Sequence, residues 1–276
     1  MNMGKECGFM PANHFFSSAM PISSGTTALC IGHPGHEMQV FEWMHRCQPL
    51  MVVFTDGSGP DRPSRFQLTV NLMAGAGARQ GVFQGNYSDR HFYDLILQKA
   101  PEPFLKMAER LAEEWIEQQV ETVAGDMMEG FSPTHDLCRV MINAAIQRVE
   151  KKTGRRLVNL QFPLERLVLN NVPEDAVIVT LSDEQFSRKR QAALSAYPAL
   201  ASEVEKAILK YGEAAFKVET LVPVQGFEGL SWDGAQPPFY ETYGRKQIAL
   251  GHYSDLITHA EHIRPLAESL YAWAVN

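Results

Sequence analysis

The chain has 276 residues, of which 45% are hydrophobic and 21% charged, so it is long enough and apolar enough to bury a sizeable core. Lys and Arg number 25 against 32 Asp and Glu, and the resulting net charge of -7 argues against a nucleic-acid partner or an anionic membrane surface. No uninterrupted apolar run approaches the roughly 18 residues of a membrane span. The N-terminal MNMGKECGFMPANHFFSSAMPI is broken by Pro11, Asn13 and His14 and makes a poor signal-peptide core, so the cytoplasm is the expected compartment.

Residues 1–27 read as an irregular N-terminal arm leading into the first strand, Ala28–Ile31. The next stretch, Gly32-His33-Pro34-Gly35-His36-Glu37, opens an amphipathic segment that leads to a second apolar run, Leu50–Phe54, and then Thr55-Asp56-Gly57-Ser58-Gly59. Strand, helix and strand in that order make a βαβ unit, which requires a parallel sheet. Pro60–Pro63 is a loop, Arg65–Ala76 has helical spacing, and Gly81–Gly85 reads as a short strand. Ser88 or Asp89 caps a helix over His91–Gln98. Pro103–Gln119 is a strong amphipathic helix with Phe104, Met107, Leu111, Trp115 and Ile116 on one face.

A third strand, Thr122–Ala124, runs into Gly125–Asp136, and a helix bearing Leu137, Val140, Met141, Ala144 and Val149 on one face follows. Lys151–Arg156 reads as a basic turn; Leu157–Phe162 and Ala176–Leu181 read as strands. Ser182 and Gln185 form a capping box for a helix over Asp183–Ala196 that Pro198 breaks. A helix over Leu200–Tyr211, a strand over Phe216–Val224 and a Gly/Pro-rich loop over Gln225–Pro238 come next. The last helix is expected over Tyr253–Val275. With no internal repeat and no linker, residues 1–276 form one domain, and the segment from about 183 to 276 is its peripheral extension. Cys30, Cys47 and Cys138 lie in apolar patterns and read as buried thiols, which fits a reducing compartment.

Ligands of parallel sheets sit beyond the carboxyl ends of the strands. His33, His36, Asp56 and His135 all fall at such ends. Two imidazoles three positions apart can chelate a divalent metal, and a third from a distant loop leaves an open position for chemistry. Pro34 suits a first helical turn, and Gly35 allows close backbone approach. Other features read as structural: His259-x-x-His262 as an exposed helix face, and Gln236–Glu241 as an ordered loop ahead of the last helix. Thr55–Gly59 lacks the basic residue and hydroxyl of a phosphate loop, and there is no Gly-x-Ser-x-Gly elbow.

These motifs resemble the PIG-L/LmbE family of N-acetylglucosaminyl de-N-acetylases. The family's His-Pro-Asp-Asp-Glu stands here as His33-Pro34-Gly35-His36-Glu37, and its His-Pro-Asp-His as Ser132-Pro133-Thr134-His135. Thr55-Asp56-Gly57 resembles the family's Thr-x-Gly, with Arg65 following. Lys189–Tyr197 is similar to its Lys-x-x-Ala-x-x-x-His segment, and Glu213–Phe216 to its Glu-x-Phe turn. The resemblance spans about residues 27–225. It implies a three-layer α/β/α Rossmann-like fold with a mostly parallel sheet. It also implies zinc, or another divalent transition metal, held by His33, His36 and His135.

Two departures affect the chemistry. Gly35 stands where the family carries its general base, and Ser132 where it carries a histidine that stabilises the oxyanion. Amide hydrolysis needs a group to take the proton of water and return it to the amine, so another carboxylate is required. Asp56, Asp126 and Glu129 lie at the right sheet edge, although Asp56 equally suits its Gly-rich turn. Glu37 suits a supporting or dipole-complementing role, and Asp136 a helix start. Arg65 and Ser132 are the substrate-binding candidates. The expected function is metal-dependent hydrolysis of an N-acyl group on an amino sugar or related amine, with a small-molecule amino-sugar conjugate as partner. Self-association is left open. A different hydrolytic or lyase reaction on the same scaffold, or a non-catalytic binding protein, are the alternatives.

Overall fold

The computed structural model describes residues 25–59, 63–165, 172–197, 201–224 and 226–276. Most of the N-terminal arm, most of the Pro60–Pro63 loop and the Pro198 break lie outside them. Three strands, β1 (Thr26–Ile31), β2 (Leu50–Thr55) and β4 (Val120–Asp126), are almost wholly buried, with apolar stretches at Ala28–Ile31, Leu50–Phe54 and Val123–Ala124. Such runs belong in the middle of a parallel sheet covered on both faces. β3 (Arg79–Tyr87) and β5 (Val158–Phe162) flank them. With β6 (Val177–Thr180) and β7 (Val218–Pro223) the seven-stranded sheet has the order β3-β2-β1-β4-β5-β7-β6. β1 pairs in parallel with β2 and β4, β2 with β3, and β4 with β5. β7 is antiparallel to both of its neighbours.

Helices cover both faces, giving the three-layer α/β/α Rossmann-like architecture. One face carries α3 (Asp89–Gln98), α4 (Glu102–Glu117), α5 (Pro133–Thr153) and α10 (Arg264–Val275). Their apolar residues form one core with Ala28, Cys30, Val52, Phe54 and Val123 from the sheet. The other face carries α1 (Phe41–Cys47), α2 (Phe66–Ala76) and α6 (Asp183–Ala196), packed against Leu29, Ile31, Met51 and Val53. Adjacent β-residues thus feed opposite cores, as the period of two requires. Trp115 from the α4 stripe is fully buried and is the largest side chain of its core. The Ser182–Gln185 capping box opens α6 as expected.

Several elements differ from the sequence reading. Helix α5 continues through Lys151, Lys152 and Thr153, which the sequence places in a turn, and Gly154 at φ +70° ends it. The Gln236–Glu241 loop gives way at Phe239 to a helix, α9 (Phe239–Ala249), following α7 (Ala201–Tyr211) and α8 (Glu213–Phe216). The last helical stretch starts at His259, not Tyr253, with a wide π-type turn over His259–Ile263 that leads into α10. His259 and His262 are buried rather than exposed: His259 N–H donates to Glu241 Oε1, and Thr258 N–H donates to His262 Nδ1. Their spacing alone suits a solvated face, but α10 packs along α5, which turns the histidine-bearing side inward.

The chain leaves β1 for β2 on one side and later returns to place β4 on the other. Strand order therefore reverses between β1 and β4. The crevice at their carboxyl ends is where open α/β sheets hold ligands, and His33 follows one of these strands while Asp126 ends the other.

Candidate metal centre

The segment after β1 is fixed by the backbone of its neighbours. Thr55 N–H and Oγ1–H both donate to Gly32 O, each at 3.0 Å, and Gly32 N–H donates to Asp126 Oδ2 at 2.7 Å. A Cβ at Gly32 would lie 3.1 Å from Asp126 Oδ2 and 3.5 Å from a ring carbon of His135, so the bare backbone lets β1, β4 and α5 close on one another. Gly35, at φ +110°, turns the chain into a short 3-10 segment, His36–Val40, ahead of α1.

Three imidazoles meet in this crevice. Ring centroids are 5.3 Å apart for His33 and His36, 4.8 Å for His33 and His135, and 4.6 Å for His36 and His135. His33 Nδ1 lies 2.7 Å from Thr55 Oγ1 and 2.9 Å from Asp89 Oδ1. Because the Thr55 hydroxyl already donates to Gly32 O, the proton on this bond belongs to His33 Nδ1. His36 Nδ1 lies 2.8 Å from Asp126 Oδ2, an acceptor that also takes the Gly32 N–H, so His36 donates there too. Both rings then present an unprotonated Nε2, the tautomer that binds metals.

Electrostatics divides the three rings. Burial opposes charge on His36, but the Asp126 carboxylate beside it, aided by Glu37, raises its pKa above the ordinary value. Burial, together with the neighbouring His36 and His33, holds His135 well below the usual histidine range and keeps it neutral. Asp89 is lowered: burial raises it, but the hydrogen bond and charge of His33 prevail.

The three imidazoles suit a divalent metal in residue type and in ring spacing. Two imidazoles sharing one tetrahedral zinc, at about 2 Å per Zn–N bond, have centroids about 5 Å apart, close to the spacing seen here. Two of the rings also have the carboxylate partners that metal-binding histidines usually have. Among the described residues, however, no group of three or more His, Cys, Asp and Glu side chains has its donor atoms arranged to hold an ion. The imidazoles are gathered, and a ligand cage is not closed around a common point.

The remaining sequence candidates occupy distinct places. Asp126 is fully buried and touches His36. Asp56 is half-buried, and its Oδ1 takes the Ser58 N–H at 2.8 Å, the turn role. Glu129 Oε2 takes the N–H groups of Leu164 and Glu165 at 2.7 and 2.9 Å and ties the loop after β5 to the loop after β4. Arg65 lies over Gly57, where a Cβ would come within 3.0 Å of its Nε, and that buried nitrogen has no hydrogen-bond partner among the described residues. Ser132 is the residue before α5 and makes no side-chain cap bond to it. Asp136 accepts from Gly130 N–H at 3.2 Å, and burial pushes its carboxyl up to about 7.

Sequence reasoning missed Asp89 and Tyr197. Asp89 sits beside the cap residue Ser88, which receives the His91 N–H and leaves the Asp89 carboxylate for His33. Tyr197 donates to Glu37 Oε1 at 2.5 Å, Thr69 Oγ1 donates to the same oxygen at 2.9 Å, and Glu37 Oε2 accepts the Gly35 N–H at 2.7 Å. Glu37 thereby pins the turn from below, a supporting role of the kind its helix-start position suggests. The Lys189–Tyr197 resemblance ends on Tyr197 without giving it a role, and its contact with Glu37 comes only from the approach of the end of α6.

No family model matches the sequence, and no curated protein sequence matches it. Among solved structures it resembles a teicoplanin deacetylase complex, with 11% identity, 73% of this chain and 100% of that chain covered, and a TM-score of 0.45. The zinc-inhibited form of teicoplanin deacetylase gives 12%, 73%, 100% and 0.40 for the same measures. A conserved protein from Thermus thermophilus gives 15%, 76%, 98% and 0.45.

Proposed function

We propose that this protein is a zinc-dependent hydrolase of N-acyl amines, with N-acetyl amino sugars and related amines as the substrate class. The observation that supports it is the meeting of His33, His36 and His135 at the switch point of the sheet, two of them with carboxylates on Nδ1. These three residues would hold the metal, which when bound supplies Lewis acidity toward an amide carbonyl and acidifies a water.

The chain's own groups would do the rest. Asp89 and Asp126 orient the His33 and His36 rings and keep their protons on Nδ1. Arg65, with an unpartnered guanidinium nitrogen, holds the polar part of the substrate. Ser132 borders the site on the α5 side. Asp56 serves as the proton acceptor and returns the proton to the leaving amine: among the described residues its side chain takes a single hydrogen bond, from Ser58. Glu129 and Asp126 assist by holding the two loops and the His36 ring. The thiols of Cys30, Cys47 and Cys138, all free, support a reducing compartment, the cytoplasm. No helix among the described residues is long and apolar enough to cross a membrane.

A second reading, a binding protein on the same scaffold, is favoured by Gly35, where a side chain that could act as base is missing. The two separate by experiment. Metal content is measured by mass spectrometry on protein purified without chelator or nickel, beside His36→Ala, and amine release is then followed over a panel of N-acyl amines. About one equivalent of zinc, lost in the variant, with amine release that falls at least 100-fold in Asp56→Ala, is the expected result. Absence of both zinc and turnover leaves the binding protein.

A further inference from the structure

A line of aromatic rings leads out of the crevice. It starts at His135, whose ring lies 6.4 Å from Phe131 at an interplanar angle of 26°. Phe131 stacks on Phe239 at 4.9 Å and 3°, Phe239 on Tyr243 at 5.7 Å and 27°, and Tyr243 meets the edge of Tyr253 at 6.4 Å and 72°. Phe131, Phe239, Tyr243 and Tyr253 are 39%, 49%, 43% and 46% exposed. Four large rings in unbroken contact are thus left in water, where single scattered apolar residues are the rule.

Because the line begins at His135 itself, the rings form one wall of the crevice mouth instead of a separate surface patch. A molecule whose reacting group sits beside His135 has the Phe131 ring within reach of its next few atoms. Stacked rings leave their edges outward, and the edges of aromatic rings favour the faces of other aromatic rings. The wall carries phenol hydroxyls and no Lys or Arg of its own.

We propose that Phe131, Phe239, Tyr243 and Tyr253 form a subsite for an aryl group of the substrate, so that the preferred substrates are N-acyl amines carrying an aromatic ring. This deepens the hydrolase reading and rests on it for the site that the wall borders.

Binding and turnover are read separately on the full chain loaded with zinc. The probes are N-acetylbenzylamine, N-acetylcyclohexylmethylamine and N-acetylethylamine, titrated by ligand-observed NMR, with amine release followed in parallel. The aryl amide is expected to bind about two- to ten-fold more tightly than the cyclohexyl amide. In Phe239→Ala and Tyr243→Ala, both at exposed positions, that preference disappears while binding of the ethyl amide is unchanged. Equal binding of aryl and cyclohexyl amides, a preference that survives both substitutions, or no binding of any probe overturns the subsite. Aryl-selective binding without amine release from any probe overturns the hydrolase reading and leaves the subsite standing.

Discussion

Asp126 holds Gly32 and His36 with the same oxygen: Oδ2 accepts the Gly32 N–H at 2.7 Å and the His36 Nδ1–H at 2.8 Å. One buried carboxylate therefore sets both the backbone after β1 and the imidazole that follows it. Replacing it by Asn puts a neutral group opposite that ring. Asp126→Asn is expected to weaken zinc binding about 10- to 100-fold, measured by competition with a chelator of known affinity. Unchanged affinity would remove Asp126 from the metal's support.

Asp89 does the same for His33 from the start of α3, with Thr55 as a second partner. Asp89→Ala is expected to lower zinc affinity by about ten-fold and to leave thermal stability nearly unaffected, because Ser88 supplies the helix cap. A melting curve alongside the chelator titration separates the two effects.

Gly35 sits at φ +110°, a backbone that side chains rarely adopt, although a Cβ there would stand 3.8 Å from Tyr197 and meet no clash. Gly35→Ala is expected to cost about 1–2 kcal/mol from the backbone alone, read by denaturant titration. Gly35→Asp meets the same backbone cost and is expected to lose a similar amount of stability in the same titration.

Lys189 and Glu219 pair at 2.8 Å, with the Glu219 side chain fully buried and Lys189 at 10% exposure. Glu219 also accepts the N–H groups of Glu42 and Trp43 at the start of α1. Lys189→Met leaves a buried charge and is expected to destabilise the fold by about 3–5 kcal/mol. Chemical denaturation checks this, and a loss below about 1 kcal/mol would show the pair to be solvated.

Glu114 lies on α4, away from the crevice, with one buried oxygen unpartnered among the described residues. Its pKa is raised, by burial first. The folded state thus keeps its proton longer than the unfolded chain, and stability falls as pH climbs from about 4.3, the unfolded value, through the folded value. Glu114→Gln is expected to raise the melting temperature by a degree or two at pH 8 and to match wild type near pH 4. A gap that persists at pH 4 would assign the effect to packing.

Much of the sheet was legible in the sequence because β1, β2 and β4 carry apolar stretches punctuated by Gly and Asp, and because α4 has a clean stripe. His33, His36 and His135 could be placed at one edge from element order alone. What could not be read depends on distant approach. Asp89 looks like a cap residue until β2 and α3 bring it to His33. Tyr197 follows α6 and reaches Glu37 only through the packing of α2 and α6. The helix α9 was missed because Gln236-Pro237-Pro238 signals a loop, and Pro238 in fact serves as its N-cap. His259 and His262 looked solvated because their spacing, in the turn ahead of α10, does not say which side the neighbouring helices cover.

The position of β7 bears on how the molecule is made. Although it follows β6 in the chain, it lies between β5 and β6, so β6 has no place in the sheet until residues 218–223 have left the ribosome. Glu219 arrives on that same strand, bringing the acceptor for the first amides of α1 and the counter-charge for Lys189. The helix directly behind His36 is thus clamped only after most of the fold has been synthesised. A nascent chain stalled before residue 218 would carry all three histidines and lack the strand that clamps the helix behind one of them, so the crevice reaches its final form only with the second half of the chain.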